Sequence, residues 1–124
     1  MDTRSKILTV EEARSRAFPA PVVVTGYFDL LRAVHERELD AIRRRTAGPL
    51  LAVVLPWEEA YLSQRARAEM VAALRVVDYV IAPDVGDAAA LVAALGPCEL
   101  VRLEAADRLR NRELIEHVHL RHSA

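Results

Sequence analysis

The residues whose types and spacing suit chemistry fall in one stretch, Val24-Thr25-Gly26-Tyr27-Phe28-Asp29-Leu30-Leu31-Arg32-Ala33-Val34-His35. A strand that ends in a small-residue turn and opens a helix presents free backbone amides and the positive end of a helix dipole, a combination that suits phosphate. Thr25, Gly26, Tyr27 and Phe28 would supply that turn. His35 adds an imidazole donor and Arg32 a forked cation, groups that can stabilise negative charge on a phosphate. Asp29, beside such a turn, is expected to orient backbone amides and not to face the ligand. Further along, Arg67 is either a phosphate ligand or a salt-bridge partner, and Trp57 either stacks on a base or closes a core. His117, His119 and His122 do not make a metal site, since only the last pair has helical spacing and no cysteine or carboxylate cluster joins them. Cys98 has no basic neighbour to lower its pKa and reads as a small core residue.

Alternating strands and helices must position these residues. Thr9-Val10-Glu11-Glu12 reads as a capping box that starts a short helix, ended by Phe18-Pro19-Ala20-Pro21. Val22-Val23-Val24 entering Thr25-Gly26 is a strand buried on both faces. A helix follows from about Leu30 to Arg45, with Leu31, Val34, Leu39 and Ile42 at helical spacing and Gly48-Pro49 as its stop. Leu50 to Leu55 is a second strand, closed by Pro56. Ser63 to Leu74 is a helix with Met70, Val71 and Leu74 facing inward. Val76 to Ala82 is a third strand, Asp87 caps a helix to Leu95, and Gly96-Pro97 breaks it. Leu100 to Leu103 is a fourth strand, and a last helix spans roughly Leu109 to Leu120. This order predicts an α/β domain: a three-layer, Rossmann-like parallel sheet of four or five strands with helices on both faces. Ligands in such sheets sit beyond the carboxyl ends of the strands at the topological switch point, which directs attention to Thr25–His35 and Leu55–Tyr61.

Composition sets the outer bounds. With 124 residues, 52% hydrophobic and 28% charged, residues 1–124 suit a single domain with its own core. A formal net charge of −1 gives no global field for nucleic acid or an anionic membrane, so any phosphate must be held locally. Lys6 is the only lysine among 17 basic residues, which leaves arginine, histidine and backbone amides to grip an anion. One cysteine and no long apolar run point to a cytoplasmic protein.

The stretch from Gly26 to His35 resembles the Gly-x-Phe-Asp-x-x-His-x-Gly-His signature of the cytidylyltransferase-like nucleotidyltransferases, which include heptose-1-phosphate adenylyltransferase and glycerol-3-phosphate cytidylyltransferase. Gly26, Phe28, Asp29 and His35 fall in register, whereas Arg32 replaces the first histidine and Val34 the glycine. Softer likeness extends from Lys6 to Arg102, through the Arg67-led helix and Val77-Asp78-Tyr79-Val80. The resemblance implies transfer of AMP or CMP from ATP or CTP, with Mg²⁺, to a sugar or polyol phosphate. It assigns catalytic roles to His35 and Arg32, and nucleotide or phosphate contacts to Thr25, Gly26, Tyr27, Phe28 and Arg67. It also implies a homodimer. The chain departs from the pattern at Leu55-Pro56-Trp57, where the family carries Asn-Ser-Asp. It departs again at Arg110-Asn111-Arg112, where the family has phosphate-binding hydroxyls. Those departures imply the alternative: an inactive relative that binds a nucleotide or phosphorylated ligand, or serves as a dimerising partner.

Overall fold

The computed structural model describes residues 2–29, 33–95 and 98–122, with side chains through 116. After a 3-10 turn at Thr3–Lys6 come β1 (Ile7–Leu8), α1 (Val10–Ser15), β2 (Val22–Gly26), α2 (Ala33–Arg45) and β3 (Leu50–Val54). The chain continues through α3 (Gln64–Ala72), β4 (Tyr79–Ile81), α4 (Ala88–Ala94), β5 (Glu99–Arg102) and α5 (Glu104–His122). The strands form one five-stranded sheet in the order β1-β4-β3-β2-β5, with every pairing parallel. The protein is therefore a Rossmann-like α/β fold, with helices on both faces of the sheet.

The continuous apolar runs are explained by that layering. Successive strand residues point to opposite faces, so a strand covered on both sides is apolar along most of its length, with Thr25 at the end of β2 as the exception. Val22, Val24, Leu50, Ala52 and Val54 pack with Leu39 and Ile42 of α2 and with Ala68, Val71 and Ala72 of α3. Their neighbours Val23, Leu51 and Val53 pack on the other face with Ala13 of α1 and Leu91 of α4. Each such Val or Leu contributes about 1.5–3 kcal/mol by leaving water.

Several local expectations need correction. Met70 is 38% exposed, because α3 turns Arg67, Ala68, Val71 and Ala72 inward and Met70 lies off that face. Asp87 sits at the N-cap of α4 without a side-chain capping bond. The strand expected at Val76 to Ala82 narrows to β4 (Tyr79–Ile81), as Val77 N–H turns back to the Leu74 carbonyl. The last helix starts at Glu104, ahead of the expected Leu109. Nothing between Arg102 and Leu109 breaks a helix, and Glu104 and Asp107 in its first turn complement the dipole. The capping box at Thr9 forms with both reciprocal bonds. Lys6 donates to the Leu74 and Val77 carbonyls at 3.0 and 2.9 Å, which spends the only lysine on a structural tie.

Candidate functional site

Strand β2 is where the order of the sheet reverses: β3 and β4 add to one side of it, and the chain then crosses to place β5 on the other. The crevice beyond the carboxyl ends of β2 and β5, beside the helices that follow them, is where ligands sit in such sheets. At the end of β2, Phe28 adopts φ 52°, the left-handed region that side chains other than glycine rarely occupy. Such a residue costs about 1–3 kcal/mol and is held by its surroundings, here by complete burial of the ring. The turn aims the amides of Tyr27 and Phe28 at a single point.

That point is occupied by a side chain of the protein itself. Asp107, in the first turn of α5, places Oδ2 2.9 Å from Tyr27 N and 3.1 Å from Phe28 N. Its Oδ1 lies 2.9 Å from His35 Nε2. Asp107 is 2% exposed and His35 1%. A carboxylate oxygen only accepts, so Nε2 carries the proton of this bond. Gly26 makes the approach possible: a Cβ there would stand 2.8 Å from Asp107 Oδ2.

A second buried carboxylate ties the surrounding loops together. Asp29, 1% exposed, accepts from Tyr61 N and Asn111 Nδ2 through Oδ2, each at 2.8 Å, and from Leu62 N through Oδ1 at 3.1 Å. Arg67, 2% exposed, donates to three carbonyls, those of Tyr27, Leu55 and Leu62, at 2.7, 2.8 and 3.2 Å. Burial pulls its pKa down from the usual value, and the charge of Asp29 acts in the opposite direction. Thr25 is buried at the end of β2, with its hydroxyl unpaired. Arg110 pairs with Glu38 of α2.

Outside this buried cluster lies an open groove of about 310 Å³ between the β3–α3 loop and α5. Trp57, Glu59 and Tyr61 line one wall, and Arg108, Arg112 and Glu116 the other. The Trp57 ring stacks on Tyr27 with centroids 4.6 Å apart and planes 18° apart. Arg108 covers the Tyr27 ring at 5.7 Å and donates to its hydroxyl at 3.1 Å.

The structure thus brings Gly26, Tyr27, Phe28 and His35 together at the switch point, with Thr25 at the strand end beside them and Arg67 behind the turn. Arg32 lies outside the described residues, as do the side chains of His117, His119 and His122. Asp107 and Arg108 have no counterpart in the sequence reading, and Asn111 enters it only as a departure from the resembled pattern. The signal that could have found them is the unbroken helix-forming run after β5, which carries a carboxylate into the crevice one turn after the strand ends. Among the described residues no three His, Cys, Asp or Glu side chains converge as a metal site. No described helix is long and apolar enough to cross a membrane.

No protein-family model matches this sequence, and no curated protein does. Among solved structures seven chains match. One is the crystal structure of the lipopolysaccharide core biosynthesis protein from Thermoplasma volcanium GSS1, with a TM-score of 0.57 and 21% identity. The match spans 66% of this chain and 93% of that one. A likeness at this identity speaks for the shared Rossmann-like fold.

Proposed function

We propose that this protein is a cytidylyltransferase-like nucleotidyltransferase relative in which Asp107 has taken the phosphate's place, so that it binds a ligand without transferring a nucleotidyl group. The observation that carries this reading is the Asp107 carboxylate on the Tyr27 and Phe28 amides and on His35. Amides and imidazole there are the donors that would hold a nucleotide's phosphate, and an internal carboxylate competes for them without loss of translational freedom. An incoming phosphate would also meet a like charge. Val34 stands where the resembled signature has glycine, one residue before His35.

An active nucleotidyltransferase is the second reading, favoured by the register of Gly26, Phe28, Asp29 and His35 with the signature. In it Asp107 would have to leave its donors when ATP or CTP enters. Magnesium would then be held largely by the nucleotide's own phosphates, since no three His, Cys, Asp or Glu side chains converge among the described residues. The homodimer that the resemblance implies is a separate proposal, checked by sedimentation.

Two measurements test the first reading. Wild-type protein with ATP or CTP, Mg²⁺ and a panel of sugar and polyol phosphates is expected to release no pyrophosphate; release would overturn the reading. Asp107→Ser should then open the donors to external anions. Its melting temperature is expected to rise more on adding pyrophosphate than that of the wild type does.

A further inference from the structure

The groove beside α5 has the features of a ligand site that is distinct from the filled strand-end turn. Arg108 and Arg112 are one helical turn apart and line the same wall. Arg112 is exposed and makes no hydrogen bond or ion pair among the described residues. Arg108 is held through one nitrogen by the Tyr27 hydroxyl, and its remaining N–H groups are unspent. Across the groove stand the rings of Trp57 and Tyr61, the latter 63% exposed.

The walls are preorganised. Asp29 accepts from Tyr61 N and Leu62 N on one wall and from Asn111 of α5 on the other, so a single buried carboxylate sets their separation. The Trp57–Tyr27–Arg108 stack ties the same two walls a second time. A site built this way loses little entropy when a ligand enters.

We propose that this groove binds a nucleoside monophosphate: a flat aromatic ring against Trp57 and Tyr61, joined to a single phosphate held by Arg108 and Arg112. The proposal rests on the reading of a filled strand-end turn, since it moves anion recognition from that turn to α5. Guanidinium forks match phosphate oxygens, and aromatic faces stack on bases. Volume limits the ligand, since 310 Å³ lies at the small end of ligand sites, which span about 300–1,000 Å³. Charge limits it further. Glu59 and Glu116 also line the groove, so its four charged side chains sum to zero. They can accept from ribose hydroxyls, yet they repel the added charge of a triphosphate.

Trp57 is the only tryptophan and lines the groove, so its fluorescence reports on occupancy directly, with calorimetry in parallel. Saturable binding is expected for AMP and CMP. Binding about tenfold weaker is expected for adenosine, for ribose 5-phosphate and for magnesium-free ATP, each of which lacks one element of the match or adds repulsion. Arg112→Ala should weaken AMP binding about tenfold and Arg112→Lys should recover part of the loss. Arg112 has no partner to lose among the described residues, so both variants are expected to fold. The proposal is overturned if neither AMP nor CMP binds by either method, or if ribose 5-phosphate, adenosine or ATP binds as tightly as AMP. Unchanged AMP affinity in Arg112→Ala would overturn it as well. Absence of AMP binding leaves the filled turn standing, whereas pyrophosphate release by the wild type would end that reading whatever AMP does.

Discussion

Asp107 Oδ1 and His35 Nε2 lie 2.9 Å apart between side chains that are 2% and 1% exposed, which joins the first turn of α5 to the first turn of α2. Both side chains are buried, so truncating either one removes this bond at a depth where the lost contact is costly. Asp107→Ala also strips the Tyr27 and Phe28 amides of their acceptor and is expected to cost about 3 kcal/mol or more. His35→Ala should cost about 2 kcal/mol. Both remove the same bond, so the double variant is expected to lose at least about 1 kcal/mol less than the two single losses added together. Urea unfolding of the four proteins checks this. Strict additivity would mean that the pair is not energetically coupled.

The sheet was legible because its strands are apolar on both faces: Val22-Val23-Val24 and Leu50 to Val54 admit few other interpretations. The amide-orienting role expected of Asp29 is met in its bonds to Tyr61 and Leu62. Met70 was misjudged because hydrophobicity favoured it over Arg67, and Arg67 is buried only because three carbonyls at the ends of β2, β3 and the following loop need donors. Local spacing does not reveal such a need. Asp107 was hidden for a related reason. Its role depends on contact with residues some eighty positions earlier, and it emerges only once the switch point places α5 beside β2.

The capping box of α1 gives a pH-dependent contribution whose sign follows from its geometry. Thr9 N–H donates to the Glu12 carboxylate at 3.0 Å, and the Thr9 hydroxyl contact adds to this, so the Glu12 pKa is lowered from its usual 4.5. A depressed folded-state pKa means stabilisation that is present above the unfolded value and is lost as pH falls through the folded one. Glu12→Gln keeps an acceptor for Thr9 but does not titrate. The wild type is therefore expected to lose more melting temperature than Glu12→Gln between about pH 6 and about pH 3. Parallel acid limbs in the two melting profiles would show that the cap contributes nothing through ionisation.

Asp29 holds three donors from two elements: Tyr61 N and Leu62 N in the β3–α3 loop and Asn111 Nδ2 in α5. Asp29→Asn preserves volume yet turns an NH₂ group toward one of those donors, so one bond becomes a donor–donor contact. Global stability is expected to fall by about 2 kcal/mol. The local consequence is more diagnostic. Exchange of the Tyr61 and Leu62 amides should accelerate more than that of Val24 or Val53, whose amides lie in central strands and follow global unfolding. Hydrogen exchange resolved by residue checks this, and the groove proposal supplies a second readout. If Asp29 fixes the groove walls, AMP affinity measured through Trp57 should fall in Asp29→Asn although no groove-lining side chain has changed. Protection of Tyr61 and Leu62 at wild-type levels would mean that the loop is held by other contacts.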